Sequence, residues 1–196
     1  IDPENGDVRG EFPWRATGFA SVNAASPVLA GQDSVFITEG YGRGGVLLGL
    51  DPQGTLAPRW KAPRFAAQFS TPRYRDGYLY GFSGSSIPGG ELVCYEAKTG
   101  EEQWRNGMTP EVTDAQGRTR RTAFGRGSLL SIGDHFLAIG ESGSLAWLQL
   151  SPESATILSV TQLFTSPETW GTPAYAQGKL YVIQQEGPSR LICYDL

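Results

Sequence analysis

The sequence predicts an all-β fold, a β-propeller of about four blades, each a four-stranded antiparallel sheet. Glycine and proline are abundant, with 26 and 13 of 196 residues, which indicates many turns. Between the turns, apolar and polar residues alternate in short segments, as they do in half-buried strands. A pattern of about 45 residues recurs along the chain, and a period of this length indicates a propeller or a solenoid.

The first half of each unit combines a short strand, a turn that contains glycine and a second, more apolar strand. The four copies begin near Pro27, Pro72, Ser128 and Pro173, which are 45, 56 and 45 residues apart. The longer middle interval predicts an insertion at about residues 107–122. Four copies of one pattern therefore cover the chain.

The second half of each unit is an apolar strand that ends in a polar residue, followed by a turn and an outer strand. Trp60 and Trp104 end two of the outer strands, and we interpret both rings as packing between neighbouring blades. Cys94 and Cys193 occupy the same position in two third strands. This position predicts two buried thiols that act as small hydrophobic side chains.

The repeat predicts a single domain over residues 1–196. A partial blade spans residues 1–20, and the blades span approximately 21–62, 63–110, 121–163 and 164–196. A strand at about residues 8–14 could pair with residues 191–196 and close a four-bladed ring. Alternatively, the chain is the C-terminal half of a roughly eight-bladed ring, completed by a missing N-terminal half or by a second copy in a homodimer. We favour the half-ring slightly.

Charge and hydropathy exclude two classes of partner. The net charge is −4 and charged residues make up 18%, so no broad positive field attracts nucleic acid. No apolar run reaches the 18 or more residues that a membrane-spanning helix requires. The one dense basic run, Arg118, Arg120 and Arg121 with Arg126 beyond it, is interpreted as a solvated loop.

The sequence predicts no catalytic site and no metal site. Its only histidine, His135, follows a turn and is interpreted as a turn-flanking residue rather than as the base of a hydrolytic triad. One histidine and two separated cysteines are too few for structural zinc, and no Asp-rich calcium loop occurs. Glu39 and the pair at 101–102 are the visible carboxylates, and we interpret them as non-catalytic.

One set of residues falls in the same turn of the four units. If the blades are regular, these turns gather on one face of the disc, where propellers usually bind partners. Aromatic and arginine side chains are also enriched at binding hot spots. The predicted partner-binding residues are Tyr41, Arg43, Phe82, Glu141 and Gln184.

Two segments resemble the PQQ-like β-propeller repeat, named after pyrroloquinoline quinone. They are Gly-Tyr-Leu-Tyr-Gly-Phe at 77–82 and Glu-Leu-Val-Cys-Tyr-Glu-Ala-Lys-Thr-Gly-Glu-Glu-Gln-Trp at 91–104. Residues 12–15 and 22–27 resemble a subgroup of uncharacterised bacterial propellers. The similarity spans nearly the whole chain, and it implies an extracytoplasmic protein of the periplasm or cell envelope.

This resemblance implies two alternative functions. The family includes quinoprotein dehydrogenases, which hold PQQ and Ca²⁺, and non-enzymatic outer-membrane assembly propellers, which bind other proteins. The dehydrogenases resemble one another in a disulfide between adjacent cysteines, whereas Cys94 and Cys193 are 99 residues apart. We therefore expect a non-catalytic scaffold with a protein or glycan partner and no cofactor. The alternative is part of a PQQ- and calcium-dependent dehydrogenase.

Overall fold

The structure, a computed structural model, describes residues 1–19, 21–84, 90–114, 116–185 and 187–196. The regular secondary structure of these residues consists of β-strands. None of the described residues belongs to a helix long and apolar enough to cross a membrane. The predicted all-β class is therefore confirmed.

The strands form successive antiparallel sheets in which neighbours in the chain are neighbours in the sheet. Blade 1 contains β1 (Val28–Leu29), β2 (Ser34–Glu39), β3 (Gly44–Leu50) and β4 (Leu56–Ala62). Blade 2 contains β5 (Arg73–Arg75), β6 (Tyr78–Ser83), β7 (Glu91–Glu96) and β8 (Glu102–Asn106). A separate hairpin follows, with β9 (Glu111–Thr113) and β10 (Thr119–Arg121). Blade 3 contains β11 (Ser128–Ile132), β12 (His135–Ile139), β13 (Ser144–Leu150) and β14 (Ala155–Gln162). Blade 4 contains three strands, β15 (Ala174–Ala176), β16 (Lys179–Gln184) and β17 (Arg190–Asp195).

The hydrophobic core lies between the sheets, in one layer for each pair of neighbouring blades. Blades 1 and 2 share a layer that includes Phe36 and Leu79. Blades 2 and 3 share a layer that includes Cys94 and Phe136, and blades 3 and 4 share one that includes Leu180. Successive side chains of a strand point to opposite faces of its sheet. An inner strand that packs on both sides therefore needs a continuous apolar run, as at residues 92–95.

In blades 1 and 2, a tryptophan side chain of the outer strand forms a hydrogen bond to the next blade along the chain. The Trp60 indole Nε1 donates to the carbonyl of Ala97 at 2.9 Å, and that of Trp104 donates to the carbonyl of Ser151 at 2.8 Å. Both carbonyls lie at the end of the third strand of the following blade. A β-bulge lies beside each ring, and blade 3 has the same bulge with Ser159 in the tryptophan position. The structure thus places both rings across interblade contacts.

The two cysteines differ in burial, although their local sequences are alike. Cys94 is buried in β7, and desolvation raises the pKa of its thiol to about 12. Cys193 in β17 is exposed, so the prediction of a buried thiol is wrong at this position. The reason is that blade 3 packs on the opposite face of blade 4. Within the described ranges, no sheet covers the face that carries Cys193.

The predicted insertion is an ordered hairpin rather than a loop. β9 pairs with β10 in register from Glu111 with Arg121 to Thr113 with Thr119. Val112 is buried, which anchors the hairpin against the body of the protein. Arg120 therefore lies in a strand, although its side chain is solvated as expected. The interpretation of the basic run as an irregular loop is wrong for this part.

The predicted pairing between residues 8–14 and residues 191–196 is absent. The first of these segments is not a strand and lies against blade 1, where Trp14 packs on Val46 and Leu48. A methyl group added at Gly10 would overlap the carbonyl of Gly54, which shows how close this contact is. A four-bladed ring closed by this pairing is therefore not what the structure shows. The half-ring remains a prediction.

A glycine in blade 2 tests the contact between an outer-strand tryptophan and the next blade. Gly100 has a φ of +79°, and a Cβ there would lie 2.6 Å from the Trp60 ring. Gly77 in the same blade has a φ of +89° and no atom within 4 Å of its Cβ position. Gly77→Ala should lower the free energy of unfolding by about 1–2 kcal/mol through backbone strain alone. Gly100→Ala should cost a further ~1–3 kcal/mol because the indole must move.

Urea denaturation followed by circular dichroism measures both values on the same protein. Equal destabilisation by the two substitutions would contradict a tight contact between Trp60 and the following blade.

Candidate functional site

In each blade, a polar side chain at the end of the second strand or in the turn just after it holds the connection that enters the same blade. In each case its oxygen accepts a hydrogen bond from a backbone N–H of that connection. The acceptors and donors are Glu39 with Ala16 (2.7 Å), Ser83 with Ala66 (2.9 Å), Glu141 with Arg126 (2.8 Å) and Gln185 with Gly171 (3.0 Å). The connections therefore lie on the same side of the sheets as the turns between second and third strands.

We call this side the loop face. It comprises the turn residues 40–43, 84, 140–143 and 185, and the connections 63–72, 122–127 and 163–173. The connections lie along the ends of the sheets, so residues from different blades meet there. The remainder of the blade 2 turn, residues 85–89, lies outside the described residues.

The centre of the loop face is a buried ion pair. Arg126 Nε donates to Glu141 Oε1 at 2.6 Å, and one terminal nitrogen of Arg126 lies 3.2 Å from Glu168 Oε1. The Glu141 side chain is 0% exposed and the Arg126 side chain 12% exposed. Trp170 Nε1 also donates to Glu141 Oε1 at 2.8 Å. Glu141 thus has the charged and hydrogen-bonding partners that a buried carboxylate requires.

Two aromatic rings flank this ion pair. The ring centroids of Phe69 and Trp170 are 4.6 Å apart, and the Arg126 guanidinium carbon lies 5.3 Å and 5.0 Å from them. Both distances are within the range of cation–π attraction. Gln68 accepts from Arg126 at 3.3 Å and donates to the Tyr41 hydroxyl at 2.8 Å. We call Gln68, Phe69, Arg126, Glu141, Glu168 and Trp170 the Arg126 cluster.

The Arg126 cluster joins all four blades. Phe69 lies in the connection from blade 1 to blade 2, and Arg126 in the connection from blade 2 to blade 3. Glu141 lies in the turn of blade 3, and Trp170 in the connection from blade 3 to blade 4. A cleft of about 370 Å³ lies beside the cluster, lined by Pro167, Glu168, Trp170 and Gln185. The cleft offers a partner one aromatic ring, one carboxylate and one amide.

Three of the five predicted binding residues lie on or beside the loop face. Tyr41 is half-buried, and its hydroxyl is held by Gln68. Arg43 is exposed, with its guanidinium carbon 4.6 Å above the Trp14 ring. Gln184 ends β16 opposite Arg190, next to the side chain that holds Gly171.

The other two predicted residues are buried. Phe82 is 2% exposed, and its ring stacks on Phe124 with centroids 6.3 Å apart, in the layer between blades 2 and 3. Glu141 is covered by Arg126 and Trp170. The expectation that these two side chains face a partner therefore does not hold. Phe82 acts in the core, and Glu141 organises the side chains above it.

The sequence interpretation missed most of the Arg126 cluster. Phe69, Glu168 and Trp170 lie in connections, whereas the prediction considered only turns within a blade. Arg126 was assigned to a solvated loop, which is wrong because its side chain is largely covered. The sequence does contain a signal for this cluster, because an aromatic or arginine residue occurs shortly before the first strand of three successive units.

Other candidate chemistry has a structural explanation. His135 stacks on Trp147 with ring centroids 5.8 Å apart. Glu39 is buried and accepts from Ala16 and Ser21. Burial alone would raise the pKa of Glu102, but hydrogen bonding led by Arg105 lowers it below its ordinary value. No three His, Cys, Asp or Glu side chains among the described residues are grouped so as to hold a metal ion.

Comparison with known proteins gives a family. The family model described as outer membrane protein assembly factor BamB matches residues 1–106, which is more than half of the chain. No curated protein matches the chain. The crystal structure of BamB from Moraxella catarrhalis is 19% identical, with a TM-score of 0.34. The alignment covers 82% of this chain and 55% of that one, so the chain spans about half the length of that structure. From the family match, the chain belongs to the outer membrane protein assembly factor BamB family.

Proposed function

We propose that this chain is a non-catalytic propeller scaffold that binds a protein partner through its loop face during assembly of outer-membrane proteins. The observation that carries the proposal is the Arg126 cluster, in which a fixed cation and two aromatic rings meet beside an open cleft. Family membership supports a scaffold or binding role and an extracytoplasmic location.

The cluster suits protein recognition because its side chains are already ordered. Arg126 is held by Glu141 and by two rings, so little rotamer freedom remains to be lost on binding. Trp170 and Phe69 are only half-buried, which leaves part of each ring accessible. Tryptophan, tyrosine and arginine are the residue types that dominate binding hot spots.

Exposed polar residues surround this centre. Arg43 and Glu168, the outermost member of the cluster, are solvent-exposed, and the half-buried Tyr41 is held against the cluster by Gln68. A protein interface typically has such a polar rim around a more apolar centre. The family description supports a protein rather than a glycan as the partner.

Site-specific photo-crosslinking tests which face binds. A photoreactive phenylalanine derivative replaces Tyr41 or Glu168 on the loop face, or Gln53 or Lys98 in exposed turns at the opposite ends of the strands. The protein is expressed in the envelope of a Gram-negative host and irradiated. We expect a discrete protein adduct from the two loop-face positions and none from the two control positions. Equal adducts from both faces, or none from either, would contradict the proposal.

A second prediction concerns the ordering of the cluster. Arg126→Met removes the cation and leaves the Glu141 carboxylate buried without its charged partner. Removal of one member of a buried ion pair typically costs about 3–5 kcal/mol, so we expect a loss of that order in the free energy of unfolding. The matched control is Arg120→Met at an exposed strand position, expected to change stability by less than about 0.5 kcal/mol. Chemical denaturation measures both, and similar values would show that Arg126 does not organise the face.

Because the proposed scaffold is non-catalytic, we expect it to bind no PQQ cofactor. Addition of PQQ with Ca²⁺ should leave the melting temperature unchanged. A ligand at 100 times its dissociation constant would stabilise the folded state by about 2.7 kcal/mol. Differential scanning fluorimetry detects a shift of that size. A saturable stabilisation by PQQ with Ca²⁺, absent with Ca²⁺ alone, would instead support a quinone-dependent function.

A further inference from the structure

A cleft of about 390 Å³ lies between blades 1 and 2, at the ends of the strands opposite the loop face. Its walls include Ala30 and Ser34, on either side of the first turn of blade 1, and Asp76 and Gly77, which form the corresponding turn of blade 2. Binding sites for small molecules typically have volumes of about 300–1,000 Å³. The cleft is therefore large enough for a small ligand.

The internal repeat shows which side chains another blade carries at this point. Arg75 pairs with Tyr78 at the end of the β5–β6 hairpin, and at the same point of blade 1 the Ala30 N–H donates to the Ser34 carbonyl at 2.9 Å. Tyr78 and Ser34 both lie two residues before the second-strand position that pairs with the third-strand residue at the bulge. Blade 1 therefore carries two small side chains where blade 2 carries two large ones.

Between blades 2 and 3, these two large side chains fill the space that corresponds to the cleft. The guanidinium carbon of Arg75 lies 4.2 Å from the centroid of the Phe136 ring, and Arg75 Nη2 donates to the Gly133 carbonyl at 2.7 Å. Tyr78 packs against the apolar layer between the same two blades. An arginine and a tyrosine thus occupy, one blade further along, a space equivalent to the one that is open beside Ala30.

The charged side chains around the cleft favour a cation. Asp33 and Arg59 form an ion pair at 2.6 Å and compensate each other. The other charged residues of the lining are Asp76, Glu96 and Lys98, and within the described ranges none of them belongs to an ion pair. Two carboxylates and one ammonium leave one net negative charge. A guanidinium is more weakly hydrated than an ammonium, so it enters a partly enclosed site more easily.

We propose that this cleft binds a small molecule that carries a guanidinium group on an alkyl chain. The alkyl chain packs on Ala30 and Leu47, the apolar side chains of the blade 1 wall. The guanidinium reaches the Asp76 carboxylate at the exposed rim. The ligand takes the place that the Arg75 side chain takes in the next blade. This site is separate from the protein-binding loop face, and a free small molecule leaves no protein adduct at Lys98.

Calorimetric titration with Nα-acetyl-arginine methylamide tests the class of ligand. We expect saturable binding of one molecule per chain. The citrulline analogue has nearly the same shape but an uncharged urea group, and it should bind about tenfold more weakly because its hydrogen bonds to a carboxylate are not charge-assisted. Equal binding of the arginine and citrulline compounds would overturn the proposal.

An arginine side chain built into the cleft tests where the compound binds. Ala30→Arg places a guanidinium where blade 2 has Arg75, and we expect it to abolish binding of the arginine compound. The matched control, Ala176→Arg, adds the same charge at an exposed position of blade 4 and should bind the compound as the wild type does. Circular dichroism verifies that both variants are folded. Undiminished binding to a folded Ala30→Arg variant would overturn the proposal.

A substitution at the rim tests the site without altering the buried position of Ala30. Asp76→Asn removes the carboxylate with little change of size, in an exposed turn whose φ of +50° asparagine tolerates. We expect the affinity for the arginine compound to fall about 2- to 5-fold, as for loss of an exposed ion pair. Asp134→Asn, in the equivalent turn of blade 3, should leave the affinity unchanged. Equal affinities of the two variants, or no saturable binding to the wild type, would overturn the proposal.

Discussion

The inner strands of each blade carry apolar side chains on both faces of the sheet, and these side chains are buried only where another part of the chain lies against them. A side chain such as Phe36 or Phe136 is fully buried only because the next blade or the preceding one lies against it. Burial of one such side chain contributes roughly 1.5–3 kcal/mol, which is a large part of the net stability of a domain. The blades therefore stabilise one another in series, and no single sheet accounts for its own stability.

Serial packing also explains why the Arg126 cluster lies on the loop face. The chain must leave one sheet and enter the next, and the backbone groups of these connections cannot all be paired within a sheet. Side chains at the ends of the second strands or in the turns just after them accept hydrogen bonds from these N–H groups: Glu39, Ser83, Glu141 and Gln185. Glu141 accepts from the Trp170 indole and from the Arg126 side chain as well. Fixing the connections thus orders the aromatic and cationic side chains that they carry.

The sequence predicts the sheets well because strand period, turn glycines and repeat length depend on local spacing. It predicts the burial of individual side chains less well, because burial depends on whether another sheet lies against that face of the strand. Cys94 and Cys193 have nearly the same local sequence and the same cross-strand partner type, yet one is buried and the other exposed. Phe82 was placed on the binding face because it lies near a turn, but its ring points into the layer between blades. The Arg126 cluster was missed because its members are far apart in sequence and meet only when four sheets are stacked.

The packing of blade 4 and the order of the loop face are physically linked. Gln185, in the turn after β16, accepts from the Gly171 N–H, and the adjoining Trp170 reaches back to Glu141 of blade 3. The position of the Trp170 ring therefore depends on how firmly blade 4 is held. Leu180 and Val182 of blade 4 are buried against residues of blade 3, and this apolar packing holds β16 in place. The packing of blade 4 on blade 3 therefore also fixes the turn whose Gln185 holds the connection that carries Trp170. The apolar packing between sheets and the order of the loop face are thus coupled through the same connection.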